Sequence, residues 1–563
     1  MAEVRALSRP RPVWQNIKDF FAAYTINGTG GLMFLLLTIF VLWPIISVLI
    51  KSISGPKGLT LQYYNEFITH SYYYRSFFNT LILGILTTSV CISIGFCIAY
   101  MTTRGPLCLR KPLRLITLLP LIAPSYIFAL SLITLLGNRG IITKALNLNW
   151  DIYGFPGSVL AQTLAFLPLA YIMIENTLSS LNPNLEDNAA TLGASEQKIL
   201  RSITIPLLIP SFLKTSLIVF VMAVAEFGNV ALLCGRTPFL APDTYLMITG
   251  EANFNMASVL SVFLILPCAV IFVLQNYLIK GKDYTTILGK PVASEPRHIS
   301  LLILIPFLVV SLVTCGLILL TFGVVGAGAF TKVLGIDNTF TLSNILDTRS
   351  IVALVNSLKI ALFAGLFGAV LGALLSYVIV RGKFRGRATL EGISIAGFTL
   401  PGTVMGIGYL LTFNKPPLLL TGTMIILVIN CIFRYLAVGV EAGINKLQQL
   451  SVEIEEASSN LGASAATTFR RIVLPIIFPA FIYGFMFVFM TTMVSISAVI
   501  FLISPGYPLA SIYIFNSASW GYIGLASATT LKLVAVVAIC LTTLQFLSKR
   551  TGLSAIKGKD SND

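Results

Sequence analysis

Asp187 to Pro206 reads DNAATLGASEQKILRSITIP, and Glu456 to Pro475 reads EASSNLGASAATTFRRIVLP. At a constant offset of 269, without a gap, they share Leu192/Leu461, Gly193/Gly462, Ala194/Ala463, Ser195/Ser464, Arg201/Arg470, Ile203/Ile472 and Pro206/Pro475. Seven identities in twenty positions make an internal repeat. Each copy opens with an acidic residue and small helix formers, breaks at a glycine, and resumes as a basic helical stretch that stops at a proline before a long apolar run. Glycine takes the positive φ that redirects a chain at a helix end, and proline suits a first helical turn, where its missing N–H has no partner to lose. Each stretch therefore reads as a short helix, a turn and a second helix leading into a membrane span.

The surroundings agree. Hydrophobic residues make up 56% of the 563 and charged residues 11%, so many segments meet the requirement of about 20 apolar residues per span. The apolar runs fall at roughly 32–51, 77–101, 114–136, 157–177, 207–234, 256–279, 300–323, 350–380, 390–413, 419–442, 476–503 and 527–548, twelve spans that put both termini on one side. That side collects Arg5, Arg9, Arg11 and Lys18, then Arg104, Arg110, Lys111 and Arg114, then Lys280, Lys282, Lys290 and Arg297. It also holds Arg381, Lys383, Arg385 and Arg387, both repeat stretches, and the tail with Lys549, Arg550, Lys557 and Lys559. About 26 of the 38 Lys and Arg lie there, the bias that marks the cytoplasmic face. The net charge of +16 is thus a matter of membrane orientation, and nucleic acid is not expected as a partner. The first run lacks a small-residue cleavage site and reads as a retained span. Eight Cys without a CxxC pair and two His give neither a disulfide framework nor a metal cage, so any metal site stays unknown.

The halves, 1–299 and 300–563, also share Asn79, Arg104, Gly105 and Pro124 with Asn356, Arg381, Gly382 and Pro401 at an offset of 277. Six spans per half is even, so the two repeats run in the same orientation about an axis along the membrane normal.

The repeated stretches, 186–206 and 455–475, resemble the EAA loop of binding-protein-dependent ABC importer permeases: Glu-Ala-Ala, three residues, Gly, nine residues, Ile, one residue, Leu-Pro. The second copy keeps Glu456, Ala457, Gly462, Ile472, Leu474 and Pro475. The first keeps Ala189, Gly193, Ile203 and Pro206, but has Asp187 for Glu, Asn188 for the first Ala and Ile205 for Leu. The resemblance implies that these residues form coupling helices docking on cytoplasmic ATPase subunits. It also implies an all-α polytopic fold of about twelve transmembrane helices in two parallel six-helix repeats, the type I ABC importer permease fold. The segments AEFGNVALLCGRTPFLAPDTYLMITGEANF, FNKPPLLLTGT and SAVIFLISPGYPLA look like ferric-iron permeases; fused permeases for thiamine and 2-aminoethylphosphonate are similar. Family membership implies two ATPase subunits, a periplasmic or lipoprotein substrate-binding protein, and residence in the bacterial inner membrane. An ATPase-independent channel or secondary carrier is the reading from another class. A carrier would be expected to hold several paired intramembrane acids or His, and this chain offers Glu226 and little else.

No GxxxxGK[ST] phosphate loop is present, so ATP and Mg are expected on partner subunits and no cofactor or catalytic residue in this chain. Glu226, in the fifth span, aligns with Ser495; it either lines the substrate path or caps and cross-links helices. Arg434 and Glu441, seven apart on one face of the tenth span, are expected to pair. Lys359 and Lys532 are expected to snorkel, and Gly365, Gly368 and Gly372 to serve close helix packing.

Overall fold

The computed structural model describes residues 28–147, 149–279, 300–382, 384–504 and 506–550. The basic residues named above before residue 28, between 280 and 299, at Lys383 and after residue 550 lie outside the described residues. Among the described residues, eleven helices are long and apolar enough to cross a bilayer, and one bent pair makes a twelfth. The first half runs α1 (Gly28–Ser52), α2 (Ser71–Thr103), α3 (Leu107–Leu118), α4 (Ile127–Leu136), α5 (Phe155–Ser180), α6 (Pro183–Thr191), α7 (Glu196–Ala225), α8 (Gly228–Leu233), α9 (Leu240–Thr249) and α10 (Phe254–Ile279). The second repeats it as α11 (Leu301–Ala329), α12 (Thr348–Arg381), α13 (Arg387–Thr399), α14 (Gly402–Phe413), α15 (Met424–Gln448), α16 (Val452–Asn460), α17 (Phe469–Val494), α18 (Ala510–Ser519) and α19 (Ile523–Arg550). A short antiparallel hairpin follows α1 and another follows α11.

Two pairs of spans differ from the sequence expectation. The expected third and ninth stretches are interrupted: a 3₁₀ turn at Leu119–Ile122 separates α3 from α4, which opens the third span at Ile127–Ala145, and α13 and α14 meet at 107°. The cause is the proline shared by both halves. The ring of Pro124 or Pro401 excludes helical backbone from the residue before it, and Ala123 and Leu400 are extended, with ψ of 150° and 148°. The fifth and eleventh spans end early, at Ala225 and Val494, so Glu226 and Ser495 sit at helix breaks rather than within helices.

The first helix of each half lies against the broken span of the other. Tyr409 Oη donates to the Phe40 carbonyl at 2.8 Å, Thr412 Oγ1 bonds Ser47 Oγ at 2.8 Å, and Phe40 stacks on Phe433 at 5.0 Å. In the reverse direction Ser131 Oγ donates to the Thr321 carbonyl of α11 at 3.0 Å. This exchange of arms fastens the halves together.

One expected pairing and one expected snorkelling lysine are replaced by other contacts. Arg434 is buried and donates to the Leu400 carbonyl at 3.0 Å, satisfying the acceptor that the α13–α14 break leaves open. Glu441 is exposed, and the charges acting on it are Lys214 of the first half and Glu391. Lys532 is held by the start of α12 and the loop before it, donating to the Ile345 carbonyl at 3.0 Å and to Ser350 Oγ; Lys359 is exposed. Beyond the spans, on α9, Asp243 accepts from Tyr72 at 2.9 Å and Ser76 at 2.6 Å, and burial pushes its carboxyl up to about 6. The second half reverses this arrangement, with Tyr513 on α18 donating to Asp347 at 2.9 Å.

The glycines of α12 do face neighbouring helices. A Cβ on Gly365 would lie 3.0 Å from the Phe485 ring and one on Gly368 3.4 Å from Val488, whereas Gly372 has ordinary clearance from Gly439 at 3.6 Å. The tighter crossing is Gly439 on α15 with Gly484 on α17, where a Cβ on Gly484 would stand 3.0 Å from backbone. Gly484→Val should therefore destabilise detergent-solubilised protein by roughly 1–3 kcal/mol in thermal unfolding, while Gly372→Ala leaves it unchanged. Equal melting of both variants and wild type would show that α15 and α17 have room to part.

Candidate functional site

The repeated stretches fold alike. In each, a short helix (α6 or α16) ends at a glycine with φ of +83° at Gly193 and +86° at Gly462, and no atom comes within 4 Å of the Cβ either would carry. The backbone angle, not space, is what demands glycine there. Ser195 and Ser464 then cap the next helix, accepting from the amides of Lys198 and Thr467. That helix does not stop at the proline. It passes through an i→i+5 turn, Leu200–Thr204 or Phe469–Val473, and continues past Pro206 or Pro475 as α7 or α17. The widened turn accommodates the proline ring and its missing N–H, so the loop is welded to the fifth or eleventh span.

What holds the loop down is an acid one residue before the expected motif. Glu186 Oε2 meets Arg104 Nε at 3.0 Å, and Glu455 Oε1 meets Arg381 Nε at 2.7 Å; all four side chains are 9–13% exposed. Each arginine also reaches carbonyls at the end of the fourth or tenth span: Leu178 at 3.5 Å for Arg104, Leu447 at 3.3 Å and Leu450 at 3.1 Å for Arg381. One guanidinium thus ties the end of α2 or α12, the end of α5 or α15, and the loop helix. The second carboxylate oxygen accepts from Thr204 at 2.9 Å in the first half and faces Tyr377 at 3.5 Å in the second. Asp187 and Glu456, by contrast, are exposed, as are Gly193, Pro206, Ala457, Gly462 and Pro475; Ala189, Ile203, Ile472 and Leu474 are partly covered. The signal for Glu186 and Glu455 was in the sequence, since the 269-residue offset extends to them and Arg104/Arg381 was already a matched pair. Beside each glycine an apolar side chain is presented to the outside: Leu192 is 88% exposed and Leu461 89%.

The second feature is the pair of breaks after α7 and α17. Glu226 caps α8, accepting from the Asn229 amide at 3.3 Å and from Ser125 Oγ at 2.8 Å. Ser495 accepts from Tyr435 Oη at 2.7 Å. The structure does not place Glu226 and Ser495 in one contact, but it brings their breaks together. A Cβ on Gly228 would lie 3.2 Å from Tyr126, 3.3 Å from Ile496 and 3.4 Å from Glu226 Oε1. Phe227 packs on Phe515 at 5.5 Å, and Tyr245 on Phe501 at 5.9 Å and on Phe515 at 6.5 Å. Counted from the shared Asn79–Pro238 and Asn356–Pro508 bonds, Tyr245 and Phe515 are equivalent residues. Contact between equivalents is what a two-fold relation produces, and these aromatic residues plug the axis where the halves meet. Sequence reading missed Tyr126 and Asn229, because an isolated Tyr or Asn in an apolar run carries no pattern.

Two copies of one helical module, each with an arginine-clamped loop at one end and a broken span meeting its counterpart on a shared axis, define a membrane permease with both halves fused in one chain. The family model for binding-protein-dependent transport system inner membrane components matches residues 92–284 and 364–551, and the chain belongs to that family. It is 30% identical to the ferric transport system permease protein FbpB of Actinobacillus pleuropneumoniae over 536 residues, 91% of this chain and 77% of that one. A putative ferric transport system permease protein FbpB 1 of Haemophilus influenzae is 30% identical over 499 residues, 85% of this chain and 78% of that one. A putative 2-aminoethylphosphonate transport system permease protein, PhnV, of Salmonella paratyphi A is 26% identical over 217 residues, 38% of this chain and 82% of that one.

The clamp separates the two acids experimentally. Glu455→Ala leaves Arg381 buried without its counter-charge, at a cost of roughly 3–5 kcal/mol, so the 452–475 loop should become protease-sensitive and lose amide-exchange protection. Glu456→Ala should do neither. Equal protection in the two variants would remove the clamp's structural role.

Proposed function

We propose that this chain is the membrane permease of a ferric-iron importer, driven by two cytoplasmic ATPase subunits that dock on the 186–206 and 455–475 loops. The observation that carries this reading is the pair of rigidly clamped loops, each offering an exposed leucine beside a positive-φ glycine. The same leucine exposed beside the same turn in both halves, each on a loop fixed by a buried ion pair, suits a partner that presents two matching clefts. The similarity to two ferric transport permeases over most of their length supports iron as the cargo, whereas similarity to the aminoethylphosphonate permease spans 38% of this chain. ATP and Mg belong to the partner subunits, and a periplasmic or lipoprotein binding protein delivers the cargo. Both termini and both loops face the cytoplasm of the inner membrane.

In this reading the loops are handles. Closure of the ATPase dimer moves both handles together; the proline-bearing helices α7 and α17 move with them, and the breaks they carry part at the aromatic plug. That is a rigid-body alternating-access change. Phe227 and Phe515, both buried, hold the path shut until then.

Gly193→Val and Gly462→Val force a β-branched residue to positive φ, a strain of roughly 1–3 kcal/mol. Both variants should insert normally but lose ATPase co-purification or ligand-stimulated ATP hydrolysis. Gly462→Val should be at least as damaging, since the second loop keeps the fuller motif. Wild-type transport by both would overturn the docking assignment. Single-cysteine labelling tests the topology in a background lacking the native cysteines. A probe at Gly462 should react only from the cytoplasmic side, and probes at Lys144 and Tyr507 only from outside; labelling of Lys144→Cys from inside alone would overturn the twelve-span arrangement.

A further inference from the structure

The arm α11 is pinned to the first half at two levels. Phe307 packs edge-on against Phe96 at 5.7 Å and Tyr100 at 5.4 Å, and further along the arm the Thr321 carbonyl accepts from Ser131. Between these fastenings α11 stands away from α2 and α5 and leaves a crevice of about 340 Å³. Its walls include Leu86, Val90 and Ile94 of α2, Phe155 and Val159 of α5, and Leu317 of α11. Apart from Thr163 and Thr314, every residue that lines it is apolar. Leu86 and Val90 are exposed, as are Ile82 and Ile85 before them. The crevice therefore opens sideways, on the face that α2 turns to the bilayer.

The second half is built differently at this wall. By the 277-residue offset Leu86 and Val90 become Phe363 and Phe367, whose rings stack at 6.5 Å. The helical module thus folds with phenylalanine at both positions, and the first half carries smaller side chains in their place.

We infer that the crevice is a binding site for one acyl chain of a bilayer lipid, lodged in the seam between the two halves. Left empty, an apolar crevice forfeits the dispersion contacts of its walls, and the hydrocarbon region has no water to fill it. Lipid chains are what the bilayer offers instead. Size selects among apolar occupants. From Leu86 to Ile94 the wall runs about 12 Å along the helix, close to one leaflet's share of a hydrocarbon core about 30 Å thick. Over that length a volume of about 340 Å³ admits a slender chain, but not a partner's helix about 10–12 Å across. Phe155 begins α5 at the end of the bundle away from the clamped loops, so the chain comes from that leaflet. Since α2 and α5 belong to the first half and α11 to the second, the bound chain packs the arm against its host between the two fastenings.

The test uses full-length permease in nanodiscs of phosphatidylethanolamine and phosphatidylglycerol, doped with a phosphatidylglycerol that carries a diazirine in mid-chain. The protein is washed into detergent, illuminated, and its labelled peptides are mapped by mass spectrometry. Wild type should keep label on residues 155–164 of α5 and 314–317 of α11, and none above background at exposed Val270 of α10. Crevice label should fall at least tenfold in Leu86→Phe/Val90→Phe, which gives this wall the second half's residues. It should fall likewise in Leu317→Phe, which narrows the crevice from the opposite wall, and hold in Ile82→Phe, on the lipid face outside it. Stripped of lipid, wild type should melt at a lower temperature and recover when lipid is returned, and the double variant should lose less. Equal retention at Val270 and at the crevice would mean ordinary boundary lipid and overturns the site. Absence of label there, or label that persists in both filling variants, overturns it as well. Disulfide-linked dimers through Val90→Cys, in a background lacking the native cysteines, would give the crevice to a second copy of the chain and overturn the lipid assignment.

Discussion

A helix that stops within a buried bundle leaves backbone carbonyls and amides where water does not reach them, and among the described residues this protein interrupts its helices at four such places. Every break must find its partners within the protein. At Leu400 the open carbonyl is met by Arg434, an otherwise expensive charge to place in a span. After α7 the amide of α8 is met by Glu226, itself steadied by Ser125. After α17 Asn430 Nδ2 donates to the Ala498 carbonyl at 3.1 Å and Tyr435 donates to Ser495. The scattered polar residues within the spans are thus largely the consequence of broken helices, and the breaks after α7 and α17 are where the two halves meet.

Duplication shows which solutions are fixed by mechanics and which are free. The arginine–glutamate pair recurs in both halves, with the Leu178 carbonyl and its equivalent at Leu447 accepting from the guanidinium, and so does the asparagine that holds the outer segment through Pro238 or Pro508. The chemistry of the breaks has drifted: Glu against Ser, Tyr against Thr, Asn against Ala. Residues that tie three elements together recur in both halves, whereas each break is capped by its own set of side chains.

Spacing made much of this legible. Two stretches at one offset gave the duplication, the parallel halves and the two glycines, because a positive φ at a helix end is a local demand that the residue type itself reveals. The clamp was half visible: Arg104 and Arg381 matched, but the motif drew attention to Asp187 and Glu456, and which of two adjacent acids turns inward depends on the rotation of a helix about its axis. Arg434 and Glu441 share a face yet do not pair, since a broken neighbour offered Arg434 a bare carbonyl that no helical wheel contains. Pro206 and Pro475 read as helix starts, whereas an i→i+5 turn carries the helix through them. In each case the miss comes from a partner supplied by another element.

The clamp and the outer asparagine sit on the same rod. Arg104 ends α2 and Asn79 lies near its other end; Arg381 and Asn356 do the same on α12. At 1.5 Å per residue the two points are about 37 Å apart along an unbroken helix. At the far end Asn79 and Thr80 bond the Pro238 carbonyl and the Leu240 amide, and Asn356 and Ser357 bond the Pro508 carbonyl and the Ala510 amide. Those bonds fix the start of α9 and α18, the helices that carry Tyr245 and Phe515 into the plug. The loop is therefore joined to the plug by two routes, through α7 or α17 to the break itself and through α2 or α12 to the segment behind it. A displacement that moved one without the other would have to break a buried hydrogen bond or the ion pair, so each half can follow its loop only as a body.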